Sequence, residues 1–142
     1  MRHAAGFVGR DGISAMPIGA LDTALWDIKA KAAGAPLWKL LGGERTEVPA
    51  YASEGLWINA EIGELREEAA SFIERGHAGM KLRVGKPHLG EDVARTAAVR
   101  EVIGPEAALM VDANQGWTVE RAKEACRALR EFGPECWRPV VQ

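Results

Sequence analysis

Apolar residues in the first part of the chain recur at steps of three and four. This spacing places them on one face when residues 17–33 are wound as a helix, because a helix brings every third or fourth side chain to the same side. A proline at the start of the segment and a glycine after it suit the two ends of a helix. The pattern therefore predicts an amphipathic helix over residues 17–33. Its apolar stripe comprises Ile18, Leu21, Leu25, Ile28 and Ala32.

From residue 48 onward the pattern changes, and short apolar runs alternate with helical stretches. Runs this short that end in glycine or polar residues are typical of strands buried in a parallel sheet. Their starts recur at intervals of about 30 residues, which suits the repeating unit of a (β/α)8 barrel and also that of a doubly wound sheet. The pattern predicts strands at 48–52, 79–84, 107–112 and 136–141, and helices at 62–75, 91–103 and 118–132.

Composition narrows the class of ligand. Of the 142 residues, 47% are hydrophobic, which is enough for a core of moderate size. The 18 basic and 20 acidic residues are mixed along the chain, so no basic face for nucleic acid is predicted and a small molecule remains the default partner. No apolar stretch has the length of a membrane span or of a secretory signal core. We expect a cytoplasmic protein with Cys126 and Cys136 as reduced thiols.

Charged residues stand at the ends of the second and third predicted strands. Because side chains alternate along a strand, Lys81 and Arg83 share one face of the second strand. By the same rule, Asp112 and Asn114 share one face of the third strand. The carboxyl ends of parallel strands are where α/β folds bind ligands. Two cations and a carboxylate at that edge therefore suggest a site for a metal ion and an anionic substrate.

Simpler interpretations of the same residues remain open. Lys81 and Arg83 could be solvated charges at a strand end, and Asp112 could accept a hydrogen bond from the turn that follows it. The aspartate could also be the phosphoryl acceptor of a receiver domain. Receivers carry an acidic pair near the first strand, whereas the segment "VPAYAS" contains no acid, which argues against that alternative.

Four motifs follow one another along the chain: "GALDTALWDIKAKAAGAPLWKLLGG", "VPAYAS", "GMKLRVG" and "VDANQGW". In this order they resemble the mandelate racemase and muconate lactonizing enzyme family of the enolase superfamily. The resemblance implies an α/β fold, namely a partial (β/α)8 barrel of about three βα units and the start of a fourth strand. The C-terminal helical tail of an α+β capping domain would precede it. Residues 1–45 would then be the tail of the capping domain, and residues 46–142 the N-terminal part of the barrel, truncated.

The resemblance also implies roles for the residues at the strand ends. Members of the family hold Mg²⁺ through acids at the ends of the third, fourth and fifth barrel strands, and they abstract the proton α to a carboxylate. Asp112 matches the first of these acids, and Asn114 matches a position near the substrate. Lys81 and Arg83 match a catalytic Lys-x-Lys pair at the end of the second strand. Lys81 would hold the substrate carboxylate and stabilise the charge that develops on it.

Two departures from the family pattern refine the expected function. Arg83 stands where the family commonly has a lysine base, and a guanidinium stays charged at any working pH. The parent enzyme is therefore expected to be an acid-sugar dehydratase rather than a racemase. Arg138 stands where the second metal-binding acid is expected. We expect the isolated chain to bind Mg²⁺ weakly or not at all, to be inactive, and to self-associate through exposed sheet edges, as a non-catalytic relic fragment would.

Overall fold

The computed structural model describes residues 15–134 with their side chains and residues 136–138 by their backbone. The chain divides into two compact units, residues 1–48 and residues 49–142. The predicted strand at 136–141 is described only as far as residue 138, so its last three residues and the Arg138 side chain lie outside the described residues.

The first unit contains the predicted amphipathic helix. Helix α1 spans Ala15–Ala32, and a single short helix, α2, spans Leu37–Leu40. Gly34 takes a positive φ of 62°, and the following amide of Ala35 donates to the carbonyl of Ala30, which closes the last turn of α1. The apolar stripe is not covered within the described part of this unit, and its central residues are more than half exposed, because α2 is too short to cover it. These exposed residues are Leu21, Leu25 and Ile28.

The second unit alternates helices and strands as the pattern predicts. The helices are α3 (Ile62–Glu74), α4 (Leu89–Ile103) and α5 (Val119–Leu129), the last followed by a 3₁₀ turn (Arg130–Phe132); the strands are β1 (Gly79–Arg83), β2 (Ala108–Asp112) and β3 (Cys136–Arg138). Observed bounds differ from the predicted ones by one or two residues, except that the end of the third predicted helix tightens into the 3₁₀ turn. Within the described residues, no helix combines the length and the apolar character that crossing a bilayer needs.

The predicted strand at 48–52 is wrong as an element of the sheet. Among the residues that the structure describes, Ala52 is the one member of this segment that pairs, through an isolated parallel bridge to Met80. Two hydrogen bonds carry this bridge: the amide of Ala52 donates to Gly79 at 2.9 Å, and the amide of Lys81 donates to Ala52 at 2.9 Å. The apolar side chains of Val48 and Tyr51 are exposed, so the segment lacks the burial on both faces that the pattern assumed.

The sheet is parallel throughout, with the order β1-β2-β3. Lys81 lies opposite Met110, and Arg83 lies opposite Asp112. The alternate residues of both strands enter a core with the helices, as expected for a parallel sheet. That core includes Met80, Leu82, Leu109 and Val111 from the sheet and Leu65, Phe72, Val99 and Leu129 from the helices.

Candidate functional site

The carboxyl ends of β1 and β2 bring three charged side chains together. Nζ of Lys81 lies 3.3 Å from Oδ2 of Asp112, and NH1 of Arg83 lies 3.2 Å from the same oxygen. The three residues are only 8%, 9% and 3% exposed, in the order Lys81, Arg83, Asp112. The interpretation of Lys81 and Arg83 as solvated charges is therefore wrong. The predicted face-sharing of the two cations and their approach to Asp112 are confirmed.

Asp112 also has the turn role that the simpler interpretation gave it. Its Oδ1 accepts a hydrogen bond from the amide of Asn114 at 3.0 Å, while its Oδ2 faces the two cations. Burial raises the pKa of this carboxyl, but the Asn114 amide, Lys81 and Arg83 together outweigh burial, so the pKa lies below its ordinary value. The carboxylate is therefore held ionised by the groups around it.

Acid pH is expected to remove the stability that Asp112 contributes. Because its pKa is lowered on folding, the unfolded chain takes up this proton first as the pH falls. The contribution is fully present above about pH 4, the ordinary carboxyl value, and is lost as the pH falls through the lower folded value. Urea unfolding of the chain and of Asp112→Asn should give a difference in unfolding free energy that is constant near neutrality and shrinks below about pH 4.

A second buried carboxyl makes this difference measurement necessary. Burial raises the pKa of Asp92 despite hydrogen bonds from the amides of Gly85 and Lys86. Asp92 changes the unfolding free energy with pH in the opposite direction to Asp112. The folded state binds the Asp92 proton more tightly than the unfolded chain does, so this contribution falls as the pH rises above about 4. Both chains contain Asp92, so the comparison cancels it. A difference that keeps its neutral value down to the acid transition would contradict the role given to Asp112.

Asn114 lies beyond the end of the strand rather than on it. β2 ends at Asp112, and Asn114 and Gln115 take positive φ values of 47° and 66°. The prediction that Asn114 continues the alternation of β2 is wrong, because a left-handed turn begins where pairing with β1 stops; asparagine is among the residues that tolerate this conformation. Its exposed side chain lies two residues after Asp112, and its role toward a substrate stays a prediction.

Sequence reasoning missed the groups that surround Arg83. NH2 of Arg83 lies 3.5 Å from the carbonyl oxygen of Ser53, and its guanidinium carbon lies 5.1 Å from the centre of the Trp57 ring. Buried Arg95 on α4 donates to the carbonyls of Trp57 and Arg83. One signal was available: Arg95 stands among the apolar positions of its helix, and a charge on a buried face needs partners.

The described residues do not by themselves supply enough ligands for a Mg²⁺ ion. Among them, no group of three His, Cys, Asp or Glu side chains is placed to hold a metal. Asp112 is the carboxylate of the cluster, and its Oδ2 already faces two cations. Mg²⁺ needs several hard oxygen ligands in near-octahedral geometry, and one carboxylate supplies too few.

A cleft of about 730 Å³ opens beside the cluster, between residues 51–57 and α3, and two of its lining residues, Ser53 and Trp57, also contact Arg83. It is lined by acidic and aromatic side chains, and none of Lys81, Arg83 and Asp112 belongs to its wall. The concentration of buried opposite charges identifies the strand ends, rather than this cleft, as the candidate site.

Comparison with known proteins shows what the chain is similar to. Residues 64–137 match the family described as "Enolase C-terminal domain-like", and residues 2–42 match the N-terminal domain of "Mandelate racemase / muconate lactonizing enzyme". A 3,6-anhydro-alpha-L-galactonate cycloisomerase of Streptomyces coelicolor is 44% identical over 89% of this chain and 35% of its own. An L-talarate/galactarate dehydratase of Salmonella typhimurium is 43% identical over 88% of this chain and 31% of its own.

A solved structure has the same fold over almost all of the chain. It is a racemase from Streptomyces coelicolor with bound magnesium, with a TM-score of 0.90 and 41% identity over 96% of this chain and 41% of its own. The chain thus spans about a third of the length of the curated relatives it matches.

Proposed function

The chain belongs to the mandelate racemase and muconate lactonizing enzyme family of the enolase superfamily, and from this premise we propose that its strand-end cluster is the carboxylate-binding part of an acid-sugar dehydratase site. The observation that carries the proposal is the convergence of Lys81, Arg83 and Asp112 at the carboxyl ends of adjacent parallel strands. Membership in this family excludes the receiver-domain alternative.

Lys81 is proposed to bind the substrate carboxylate. Its ammonium is buried and already faces an oxygen anion, so little reorganisation is needed to present positive charge to a second carboxylate. As the α-proton leaves, negative charge accumulates on that carboxylate, and a fixed cation in a poorly hydrated site stabilises it most at that moment. Asn114, exposed beside the cluster, is proposed to face the rest of the substrate.

Arg83 favours dehydration over racemisation in this proposal. A racemase needs a base on each face of the α-carbon, and a guanidinium cannot accept the proton. Dehydration can proceed with one base. Relatives of the chain include an acid-sugar dehydratase and an epimerase, so the family accommodates both chemistries, and residue 83 is proposed to select between them.

Mg²⁺ is the cofactor of this family, and Asp112 is the described residue proposed as one of its ligands. When bound, the ion would neutralise charge on the carboxylate as the proton leaves. Since the described donor set is too small to hold the ion alone, we propose that the isolated chain binds no Mg²⁺ at defined stoichiometry and turns over no acid sugar.

The domain assignment is part of the same proposal. Residues 1–45 are proposed as the tail of a capping domain, and residues 46–142 as the first βα units of a (β/α)8 barrel in a cytoplasmic enzyme. A wholly parallel sheet in chain order, with a helix after each of the first two strands, supports this assignment.

The unpaired side of β3 supports an association of the isolated chain with itself. Among the described residues, β3 pairs only with β2, whereas the outer side of β1 is hydrogen-bonded to Ala52 and Leu56. Unpaired edges are templates for further strands. A non-catalytic, self-associating fragment is therefore the alternative, and sedimentation of a sharp monomer would count against it.

Complementation tests the proposed catalytic role. The chain is co-expressed with the C-terminal part of the Salmonella typhimurium dehydratase, and the mixture is assayed with galactarate for formation of a 2-keto-3-deoxy acid. Activity is expected only when both parts are present, and Lys81→Met is expected to reduce it at least about 100-fold, in line with the loss of one preorganised charge-stabilising group.

The matched control is Lys123→Met, which removes an exposed lysine on α5 and should leave activity unchanged. Exchange of the α-proton with solvent in both epimers of a substrate would contradict the dehydratase assignment. Turnover by the isolated chain, or one-to-one Mg²⁺ binding in calorimetry, would contradict its proposed inactivity.

A further inference from the structure

Arg83 is enclosed on several sides by protein groups. NH1 faces Asp112 at 3.2 Å, NH2 lies 3.5 Å from the carbonyl oxygen of Ser53, and the Trp57 ring stacks over the guanidinium at 5.1 Å. Its Nε is buried without a hydrogen-bond partner among the described residues. An anionic ligand would have to displace one of these protein groups to bind the guanidinium, which is therefore poorly placed to meet a substrate.

The loop that carries Trp57 is held in a costly conformation. In residues 53–60, here called the Trp57 loop, Leu56 is fully buried with a positive φ of 48°, which is unusual for a bulky side chain. The Leu56 amide donates to Oε2 of Glu68 at 2.7 Å, and its carbonyl accepts from the amide of Arg83 at 3.0 Å. Such strain persists only where the surroundings over-determine it, and here they fix the residue next to Trp57.

One buried side chain ties the two members of the stack together. NH2 of Arg95 donates to the carbonyl of Trp57 at 2.7 Å and approaches the carbonyl of Arg83 at 3.4 Å, and its NH1 donates to Ala60 in the same loop. A single guanidinium thus sets the distance between the backbone of the Trp57 loop and the end of β1. The cation–π contact between Trp57 and Arg83 is consequently a constrained one.

Lys81 is as buried as Arg83 but has fewer protein partners. Among the described residues its ammonium faces Asp112 at 3.3 Å, and an ammonium has three donors. The two cations of the cluster therefore differ in their protein partners. The Arg83 guanidinium is stacked on Trp57 and lies between Asp112 and Ser53, whereas the Lys81 ammonium retains donors for an arriving anion.

We propose that Trp57 is a positioning residue that, with Arg95, keeps Arg83 on Asp112 and so leaves Lys81 as the cation that the substrate carboxylate meets. This inference rests on the proposed carboxylate-binding function. On this inference Lys81 is the cation that binds the substrate, and Arg83 is the cation that stays paired with Asp112. Trp57 acts only through Arg83.

The test is a titration of the full 142-residue chain with glycolate, a small 2-hydroxycarboxylate. Binding is monitored by NMR through the ¹⁵N side-chain signals of lysine and arginine. In the unaltered chain the Lys81 Nζ signal should move and the Arg83 Nε signal should not. In Trp57→Leu the Arg83 signal should begin to respond, and in Trp57→Phe, which keeps a ring to stack on, it should stay silent. Trp38→Leu, in the other unit, should behave as the unaltered chain does.

Movement of the Arg83 signal in the unaltered chain, or a Trp57→Leu chain that responds as the unaltered one does, would overturn the inference. A Lys81 signal that never responds would instead overturn the proposed function. In that case a double-mutant cycle decides the inference: Trp57→Leu and Arg83→Met together should change the unfolding equilibrium constant by about five-fold less than the product of their separate effects, as a cation–π contact predicts. Independent effects of the two substitutions would overturn it.

Discussion

Replacing Arg95 with methionine is expected to lower the free energy of unfolding by about 3 kcal/mol, since hydrogen bonds from a charged donor contribute about 1.5–3 kcal/mol each and lost donors leave buried carbonyls unpaired. Arg95 is almost fully buried and donates to carbonyls of Trp57, Ala60 and Arg83. Burial lowers the pKa of Arg95, which means that the charged guanidinium is costly to desolvate. Removing the charge recovers this desolvation cost and so offsets part of the loss in unfolding free energy. Methionine keeps the apolar stem, so the effect reports the guanidinium.

Arg66→Met is the matched control for this substitution. Arg66 lies on α3 and pairs with Glu101 of α4, but its side chain is 46% exposed, and exposed ion pairs contribute about 0–1 kcal/mol. Urea unfolding of the two variants should therefore separate them by about 2 kcal/mol or more. Equal losses would mean that the contacts of Arg95 do not stabilise the loop.

The sequence predicted correctly those features of the site that depend only on the alternation of side chains along a strand. Lys81 and Arg83 are separated by one residue in a run bounded by apolar positions, so their shared face followed from strand geometry alone. That Asp112 would face them required only that the two strands be parallel neighbours, which the recurring βα pattern indicated. Periodicity is a local property, and these features depend on little else.

Other features depend on long-range or strained geometry, and no local pattern reveals them. The contact of Trp57 with Arg83 joins residues from different segments and depends on the positive φ of Leu56, a conformation that a leucine rarely adopts. The break at Asn114 likewise depends on where pairing stops, because asparagine is compatible with both a turn and a strand end. Single-sequence reasoning therefore carried the alternation of β2 on to Asn114 and overlooked the loop.

The two interpretations of Asp112 proved compatible because a carboxylate has two oxygens. One oxygen accepts from the turn amide of Asn114 and the other faces the cations. The turn bond fixes the side chain so that the second oxygen faces Lys81 and Arg83. A residue that shapes its own turn is thereby preorganised for a charged site.

Replacing Asp112 with leucine is expected to destabilise the chain by about 3–5 kcal/mol, the usual cost of removing one partner from a buried ion pair. The substitution leaves Lys81 and Arg83 buried beside each other without their shared counter-ion. Like charges in a poorly hydrated site repel strongly. Urea unfolding at neutral pH measures the loss.

The triple variant Lys81→Met, Arg83→Met and Asp112→Leu distinguishes a functional cluster from a structural one. Replacing a whole buried ionic group with apolar side chains of similar volume is often neutral or stabilising, so the triple variant should recover to within about 1 kcal/mol of the unaltered chain. Recovery would mean that the fold does not need these charges. They would then be retained at a cost in desolvation for what they bind, as expected of an active site. A triple variant as unstable as Asp112→Leu would instead make the cluster part of the scaffold.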